Sequence, residues 1–287
     1  MQFRPVVALV LAFGLGAPML GISEPASAQT DVAAPAVKRL SDVLLMGDVV
    51  AVMRDEGIEY GGTLEDEMFP GRGGADWKAA VSAIYDTERM RREFDAQLSR
   101  ELQATPEAIE QSLAFFESPS GKRILTLELD ARRALTDNTA EEAAKVAVED
   151  MIAGADPRMD VLRTFAEANA LVELNVAGAL NANLAFYQGL DEGGAFGGEM
   201  TEDQMLADVW GQEADVRAQT EEWVYSFLAL AYAPLSDADM EAYQAFSESP
   251  AGQQVNAALF AAYDAVFTPI SRKLGVATAG QMQGEDI

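Results

Sequence analysis

The sequence predicts an all-α protein made of two copies of one helical unit. Alanine is abundant, whereas valine and isoleucine are sparse beyond the first fifty residues, and this balance favours helices over sheets. No stretch shows the strict alternation of apolar and polar residues that is typical of a half-buried strand. A Ser-Pro-x-Gly motif occurs twice, 131 residues apart, and indicates an internal repeat.

The first residues predict an export signal. Arg4 supplies a positive charge, and Val6–Leu20 is apolar but too short and glycine-rich for a stable membrane span. Ala26-Ser27-Ala28 is a small-x-small cleavage site, so we expect residues 1–28 to be removed before Gln29. No other stretch approaches the roughly 18 apolar residues that a membrane span needs. We therefore expect a soluble mature chain without a transmembrane span, either periplasmic or secreted.

The composition excludes several classes of chemistry. The chain has 20 Lys and Arg against 47 Asp and Glu, and its net charge of −27 repels nucleic acid and anionic lipid. This charge is typical of a highly soluble protein; the alternative is a cationic partner or a loosely held cation. With no cysteine and no histidine, the chain has no thiol catalysis, disulfides, Cys/His zinc sites or imidazole acid–base catalysis. We expect no cofactor, no metal site and no nucleic-acid partner.

The repeat extends beyond the motif itself. Residues 104–135 and 235–266 align without gaps, and nine of the 32 pairs are identical. We interpret the chain as two tandem four-helix units joined by a connector that is helical around residues 140–153. The predicted divisions are a signal peptide (1–28), a first unit (37–138), a connector (139–159), a second unit (160–275) and a flexible tail (276–287).

Capping residues mark the predicted helix starts. Thr105-Pro106 and Asp156-Pro157 each combine an N-cap residue with a proline at the first helical position. Thr139-x-x-Glu142 and Thr201-x-x-Gln204 are typical of capping boxes. These four patterns predict helices that begin just after residues 105, 156, 139 and 201.

The two Ser-Pro-x-Gly motifs predict tight corners between helices. Each serine caps a new helix, and the proline that follows forces the preceding helix to end. Glycine then lets the two helices approach closely. We interpret these residues as structural corners, and the alternative is an anion-binding loop at a helix N-terminus. The corner residues are Ser118, Pro119 and Gly121 in the first copy, and Ser249, Pro250 and Gly252 in the second.

Two glycine-rich acidic stretches, Tyr60–Gly74 and Gly189–Gly198, are predicted as loops. They contain no lysine-bearing pattern of the kind that cradles phosphate. Both interpretations remain open at this point: flexible loops that bind a partner, or linkers without a binding role.

Candidate catalytic and metal-binding residues are few. Glu117 is a weak candidate for a general acid because Phe115 and Phe116 precede it, and Glu248 is poorer. The acidic run from Asp237 to Glu241 lacks the glycine and the distal glutamate of a calcium loop. The tryptophans are expected in the core or at its edge, with a pocket lining as the alternative; they are Trp77, Trp210 and Trp223.

The block Phe115-Phe116-Glu117-Ser118-Pro119-Ser120-Gly121-Lys122 resembles the signature of the bacterial "domain of unknown function 2059" family. The resemblance implies an exported, all-helical fold, and it implies no activity and no catalytic residues. The second copy departs from the signature, since Ser247 replaces the second aromatic residue and Gln253 the basic one.

Two functional hypotheses follow from these observations. The first is a non-enzymatic binding or scaffold protein of the cell envelope, with a protein or another envelope component as its partner. The alternative is a carboxylate-dependent cell-wall hydrolase that uses a single glutamate as general acid. An apolar groove favours the first hypothesis, and buried, facing carboxylates in a cleft favour the second.

Overall fold

The computed structural model describes residues 30–284, with side chains from residue 35 onward. Thirteen α-helices and no strand lie within these residues, which confirms the predicted all-α class. The helices are α1 (Thr30–Val43), α2 (Met46–Met68), α3 (Gly74–Ile84), α4 (Thr87–Leu102), α5 (Pro106–Phe116), α6 (Pro119–Ala134), α7 (Asn138–Ala153), α8 (Pro157–Ala168), α9 (Leu171–Glu192), α10 (Glu202–Gly211), α11 (Glu213–Tyr232), α12 (Asp237–Ser247) and α13 (Pro250–Gln283).

Membrane-spanning helices are absent from the part of the chain that the structure describes, since none of its helices is long and apolar enough. The predicted export signal and its cleavage residues, Ala26, Ala28 and Gln29, lie outside the described residues.

Both Ser-Pro-x-Gly motifs form a corner between two helices. Ser118 caps α6 by accepting a hydrogen bond from the backbone N–H of Gly121 at 3.0 Å. Ser249 caps α13 in the same way, accepting from Gly252 at 3.1 Å. A Cβ at Gly121 would lie 2.2 Å from the carbonyl oxygen of Phe115. The glycine is therefore required by the close approach of the preceding turn.

Two other capping predictions have opposite outcomes. Thr201 forms the predicted capping box with Gln204 at the start of α10. The capping box predicted at Thr139 is wrong, because Asp137 caps α7 and its carboxylate accepts hydrogen bonds from the backbone N–H groups of Thr139 and Ala140. The capping residue is therefore two positions upstream of the predicted one, and the helix begins two residues earlier than predicted, at Asn138.

The offset of 131 residues that aligns the two motifs in the sequence places α1–α6 opposite α8–α13, with α7 between the two sets. We keep the names first and second copy for these two sets. Each set contains six helices where four were predicted, so two tandem four-helix units are not confirmed. The extra breaks occur at left-handed residues, Leu45 before α2 and Ala170 before α9, and at Asp86, which caps α4 through the N–H of Arg89. None of these breaks carries a glycine or proline that would reveal it in the sequence.

The two copies are interlocked and do not pack as separate units. Helix α13 of the second copy packs against α4 of the first, and α6 of the first copy packs reciprocally against α11 of the second. The rings of Phe94 on α4 and Tyr263 on α13 meet edge to face, with centroids 4.9 Å apart. One continuous hydrophobic core consequently contains residues from both copies.

The glycine-rich stretches are largely helical, which corrects the loops predicted for them. Residues 60–68 belong to α2, and Gly61 lies against Val81 of α3, where a Cβ would come within 2.8 Å of that side chain. In the second copy, Gly189 of α9 crosses Gly275 of α13, and a Cβ at Gly189 would lie 2.1 Å from a backbone carbonyl oxygen of α13. Glycine serves close helix packing at these positions, and the second stretch becomes a turn only from Gly193 onward.

The predicted flexible tail is also corrected. Helix α13 runs through Pro269 and continues to Gln283, well beyond the predicted end at residue 275. Ala279 is fully buried and Ala277 nearly so. Small residues in this segment resemble a linker in sequence, but they fit a helix that crosses α9 at short distance.

Candidate functional site

A small cavity lies where the two copies meet. Helix α6 of the first copy borders it, together with α11, α12 and α13 of the second copy and the turn between α1 and α2. Its volume is about 60 Å³. The walls are aliphatic and aromatic for the most part, and the aromatic residues that line the cavity are Phe116, Trp223, Phe227, Tyr243 and Tyr263.

Glu128 on α6 places a carboxyl group at this cavity. Tyr232 Oη donates a hydrogen bond to Glu128 Oε1 at 2.7 Å, and Tyr243 Oη donates to the same atom at 2.9 Å. The residue as a whole is half-buried, whereas its carboxyl group is enclosed by protein atoms. Burial raises the pKa of Glu128 to about 7, although the two phenol hydrogen bonds act in the opposite direction. The carboxyl group therefore exchanges its proton near neutral pH.

The two tyrosines that hold Glu128 come from the second copy. Tyr232 is the last residue of α11, Tyr243 lies on the inner face of α12, and both are buried. Burial, together with the charge of Glu128, raises the pKa of both phenols well above the ordinary value. Both groups thus remain hydrogen-bond donors at physiological pH.

Arg132 lies one turn beyond Glu128 on α6 and also borders the cavity. It forms a two-pronged ion pair with Glu56 of α2, with Nε–Oε1 and Nη2–Oε2 distances of 3.1 and 2.7 Å. Burial acts to lower the pKa of Arg132, but the charge and hydrogen bonds of Glu56 outweigh burial and raise it. The guanidinium charge is therefore paired with Glu56, while the hydrogen bonds that Glu128 accepts from side chains of the described residues come from neutral phenols.

Aromatic rings form the remaining wall. Trp223 stacks on Phe227, with ring centroids 5.2 Å apart and an interplanar angle of 12°. Tyr263 is held in place by a hydrogen bond that its hydroxyl donates to Met46 Sδ at 3.3 Å. The cavity thus combines one titratable carboxyl group with several aromatic faces.

A second, larger cavity of about 250 Å³ lies between α9 and α13. Asn256 lines it, and the side-chain oxygen of this buried residue has no hydrogen-bond partner in the described part of the chain. Tyr263 lines both cavities and separates them. Burial raises the pKa of Tyr263 at this boundary.

Glu117, the candidate acid in the sequence, lies away from the cavity. Arg39 of α1 donates to both of its carboxylate oxygens, at 2.8 and 2.7 Å, and 32% of the Glu117 side chain is exposed. The neighbouring Phe116 points into the core and is fully buried. Adjacency in sequence therefore does not give Glu117 an apolar environment, because successive helical residues point in different directions.

Of the remaining candidates, only Trp223 is among the described residues that line the cavity. Asp237 pairs with Arg158 at 2.9 Å, and Asp239 accepts hydrogen bonds from the hydroxyls of Ser120 and Ser236. No group of three acidic residues in the described chain is arranged to hold a metal ion. Of the tryptophans, Trp77 is buried in the core, Trp210 is 61% exposed, and Trp223 lines the cavity.

The repeat alignment contains a signal in the sequence for Glu128. In the repeat alignment, Glu128 pairs with Leu259 and Arg132 pairs with Tyr263. A charged residue in one copy thus occupies a position that is buried and apolar or aromatic in the other. A charge on the core-facing side of a helix requires a partner, and such a position is a candidate for function.

Residues 88–150 match the model of the bacterial family described as "Uncharacterized protein conserved in bacteria (DUF2059)". This segment runs from α4 into α7 and contains the block at residues 115–122, so the resemblance seen in the sequence is confirmed there. The match covers α4–α6 of the first copy and most of α7, and it does not extend to the second copy. Comparisons with curated proteins and with solved structures found no match. The matched segment contributes Glu128 and Arg132 to the cavity, and the two tyrosines lie outside it.

Proposed function

We propose that the protein is an exported, non-enzymatic binding protein of the cell envelope and that the cavity at Glu128 is its binding site. The observation that carries this proposal is an enclosed carboxyl group, held by two tyrosines, in a cavity with aromatic walls. Cavities with apolar walls and a few oriented polar groups are typical of small-molecule sites. Export is supported by the charged, apolar and small-x-small pattern of residues 1–28.

The dimensions of the site favour binding over hydrolysis of a glycan. A volume of about 60 Å³ holds only a few water-sized groups, which is too little for a sugar ring with its neighbours. Among the described residues that line the cavity, Glu128 is the only one with a carboxyl group, and Glu56 forms an ion pair with the lining residue Arg132. This lining supplies no second carboxylate to act as base or nucleophile beside Glu128.

The experiment that tests this proposal compares the contents of the cavity in two proteins. Val49 is half-buried and lines the cavity, so Val49→Phe fills it without adding charge. Wild type and variant are purified from the native envelope without denaturation, and released small molecules are identified by mass spectrometry. We expect the wild-type extract to contain a molecule that the variant lacks. Identical extracts from two equally folded proteins would contradict the proposal.

The runner-up, a carboxylate-dependent cell-wall hydrolase, is favoured by one observation, the pKa of about 7 at Glu128. Glu128 then replaces Glu117 as its acid. Incubation of peptidoglycan with wild type, Glu128→Gln and Glu117→Gln distinguishes the two functions. We expect no glycan release from any of them. Release by wild type that is lost only in Glu128→Gln, with an unchanged fold, would establish the hydrolase instead.

A further inference from the structure

We propose that the Glu128 cavity binds a small alkylammonium ion, with the Glu128 carboxylate accepting its N–H groups and the aromatic walls covering its alkyl chain. The inference rests on the proposed function as a binding protein, and it specifies the ligand class.

The charged and titratable groups around Glu128 favour the binding of one cation. Of the groups on the surrounding helices, Arg132 is paired with Glu56 of α2, and the phenols of Tyr232 on α11 and Tyr243 on α12 are neutral donors. The phenol of Tyr263 on α13 is directed to Met46. Within the described part of the chain, no cation is hydrogen-bonded to the partly buried Glu128 carboxylate, and an ammonium ion would supply a positive charge together with hydrogen-bond donors.

The aromatic walls favour the same ligand class. The stacked pair of Trp223 and Phe227, and the ring of Phe116, border the cavity. Aromatic faces attract cations and pack equally well against methylene groups, and an aromatic cage is a recurrent way of binding ammonium ions. The net charge of −27 adds a field that raises the local concentration of cations and lowers that of anions.

The volume limits the size of the ion. At roughly 10–15 Å³ for each water-sized group, a cavity of about 60 Å³ accommodates about four to six non-hydrogen atoms. A propylammonium ion has that size. Larger ring systems and long acyl chains do not fit without displacement of the walls.

Binding of such an ion is coupled to the proton on Glu128. An alkylamine remains charged below about pH 10, whereas Glu128 is protonated below its own pKa of about 7. The cation therefore has to displace a proton at acidic pH. We expect the affinity to fall about tenfold between pH 8 and pH 6.

The test is isothermal titration calorimetry of the whole mature protein with propylammonium chloride, with 1-propanol as the uncharged analogue of equal size. N-acetyl-lysine amide, which presents an aminoalkyl chain on a peptide, distinguishes a protein side chain from a free amine as the source. We expect propylammonium to bind, to release a proton at pH 6, and to bind about tenfold more weakly there than at pH 8. Stronger binding of the lysine derivative would support the class and identify a protein source.

Two variants complete the experiment. Glu128→Gln keeps the shape and the acceptor for both phenols, and we expect it to lose propylammonium binding while its melting curve shows a folded protein. Glu117→Gln, at the exposed pair with Arg39, is expected to bind as wild type does. Equal binding of propanol and propylammonium, or unchanged binding by Glu128→Gln, would overturn the inference and leave the binding function intact. Absence of all binding, together with identical envelope extracts, would remove both proposals.

Discussion

Phe115 and Phe246 stack face to face, with ring centroids 4.4 Å apart and an interplanar angle of 4°. These two residues occupy the same position in the two copies of the repeat. Contacts between equivalent residues are typical of the interface of a symmetric dimer. The reciprocal packing of α13 on α4 and of α6 on α11 has the same relationship. The cavity at Glu128 lies among these contacts, since residues of both copies line it.

The stack predicts energetic coupling between the copies. Phe115→Leu and Phe246→Leu should each destabilise the protein, and the double variant should lose less than the sum, with a coupling free energy of about 0.5–1.5 kcal/mol. Chemical denaturation of the four proteins measures this coupling. As a control, Phe69→Leu combined with Phe246→Leu should be additive, because Phe69 packs on Trp77 in the first copy. A coupling near zero for the stacked pair would mean that the contact contributes nothing specific.

Interlocking also predicts that half of the chain does not fold alone. A fragment that ends at Asp137 lacks α13, which covers Met90, Phe94 and Leu98 on α4, all of them fully buried in the whole chain. Circular dichroism of this fragment should show no cooperative melting transition. Addition of a second fragment, residues 156–284, should restore one. Cooperative melting of the first fragment by itself would refute the interlocked arrangement.

The corner glycines make a prediction with internal controls. Gly121→Ala and Gly252→Ala place a Cβ about 2.2 and 2.1 Å from a backbone carbonyl oxygen, so overpacking should cost about 1–3 kcal/mol in each case. Gly121→Val and Gly252→Val should cost at least as much. Gly62→Ala and Gly280→Ala are controls, because both positions are helical and no atom lies near the new methyl group. These two should be neutral or stabilising by up to about 1 kcal/mol. Equal melting temperatures for all four alanine variants would contradict the close approach of the helices at Gly121 and Gly252.

The sequence predicts the helical class and both corners because these depend on local chemistry. Ser118 and Ser249 cap a helix that opens with proline, and the physical reasons lie within four residues of each motif. The number of helices is not predictable in the same way. Leu45 and Ala170 adopt left-handed conformations without glycine, and packing of the flanking helices selects them.

The site could not be predicted from local pattern, because its parts are distant in sequence. Glu128 is separated from Tyr232 and Tyr243 by more than 100 residues, and the three meet only through the interlocking of the copies. The glycine-rich stretches of α2 and α9 are predicted as loops because their packing partners are also distant in sequence. A glycine can form part of a flexible loop or allow a neighbouring helix to pack closely. The sequence of one element does not show which of the two occurs, since it does not identify the element that packs against it.

The C-terminal part of α13 gives a direct test of the corrected tail. A chain that ends at Gly275 loses Ala277, Thr278 and Ala279, which are buried, and uncovers the surface of α9 beneath them. Denaturant unfolding should show a clear loss of stability relative to the full chain, because this apolar surface becomes exposed to water. Equal stability of the two chains would restore the interpretation of this segment as a tail.

The protonation of Glu128 predicts how stability depends on pH. The pKa of Glu128 is raised from 4.5 to about 7 in the folded protein by burial. The folded state therefore binds a proton that the unfolded state has released, over the range from about pH 4.5 to 7. Stability is then greatest below this range and falls as the pH rises through it. The loss amounts to about 2–3 kcal/mol between pH 5 and pH 8.

Glu128→Gln isolates this effect, because the amide has no proton to release and its oxygen still accepts from Tyr232 and Tyr243. The difference in unfolding free energy between wild type and Glu128→Gln should change by that amount from pH 5 to pH 8, with the variant gaining relative stability. All other carboxyl groups are common to both proteins, so their contributions cancel. Glu110→Gln, at an exposed position on α5, removes one charge outside the cavity and serves as the matched control. Urea denaturation at the two pH values decides the matter: a difference that stays constant with pH would mean that Glu128 ionises normally and that water reaches its carboxyl group freely.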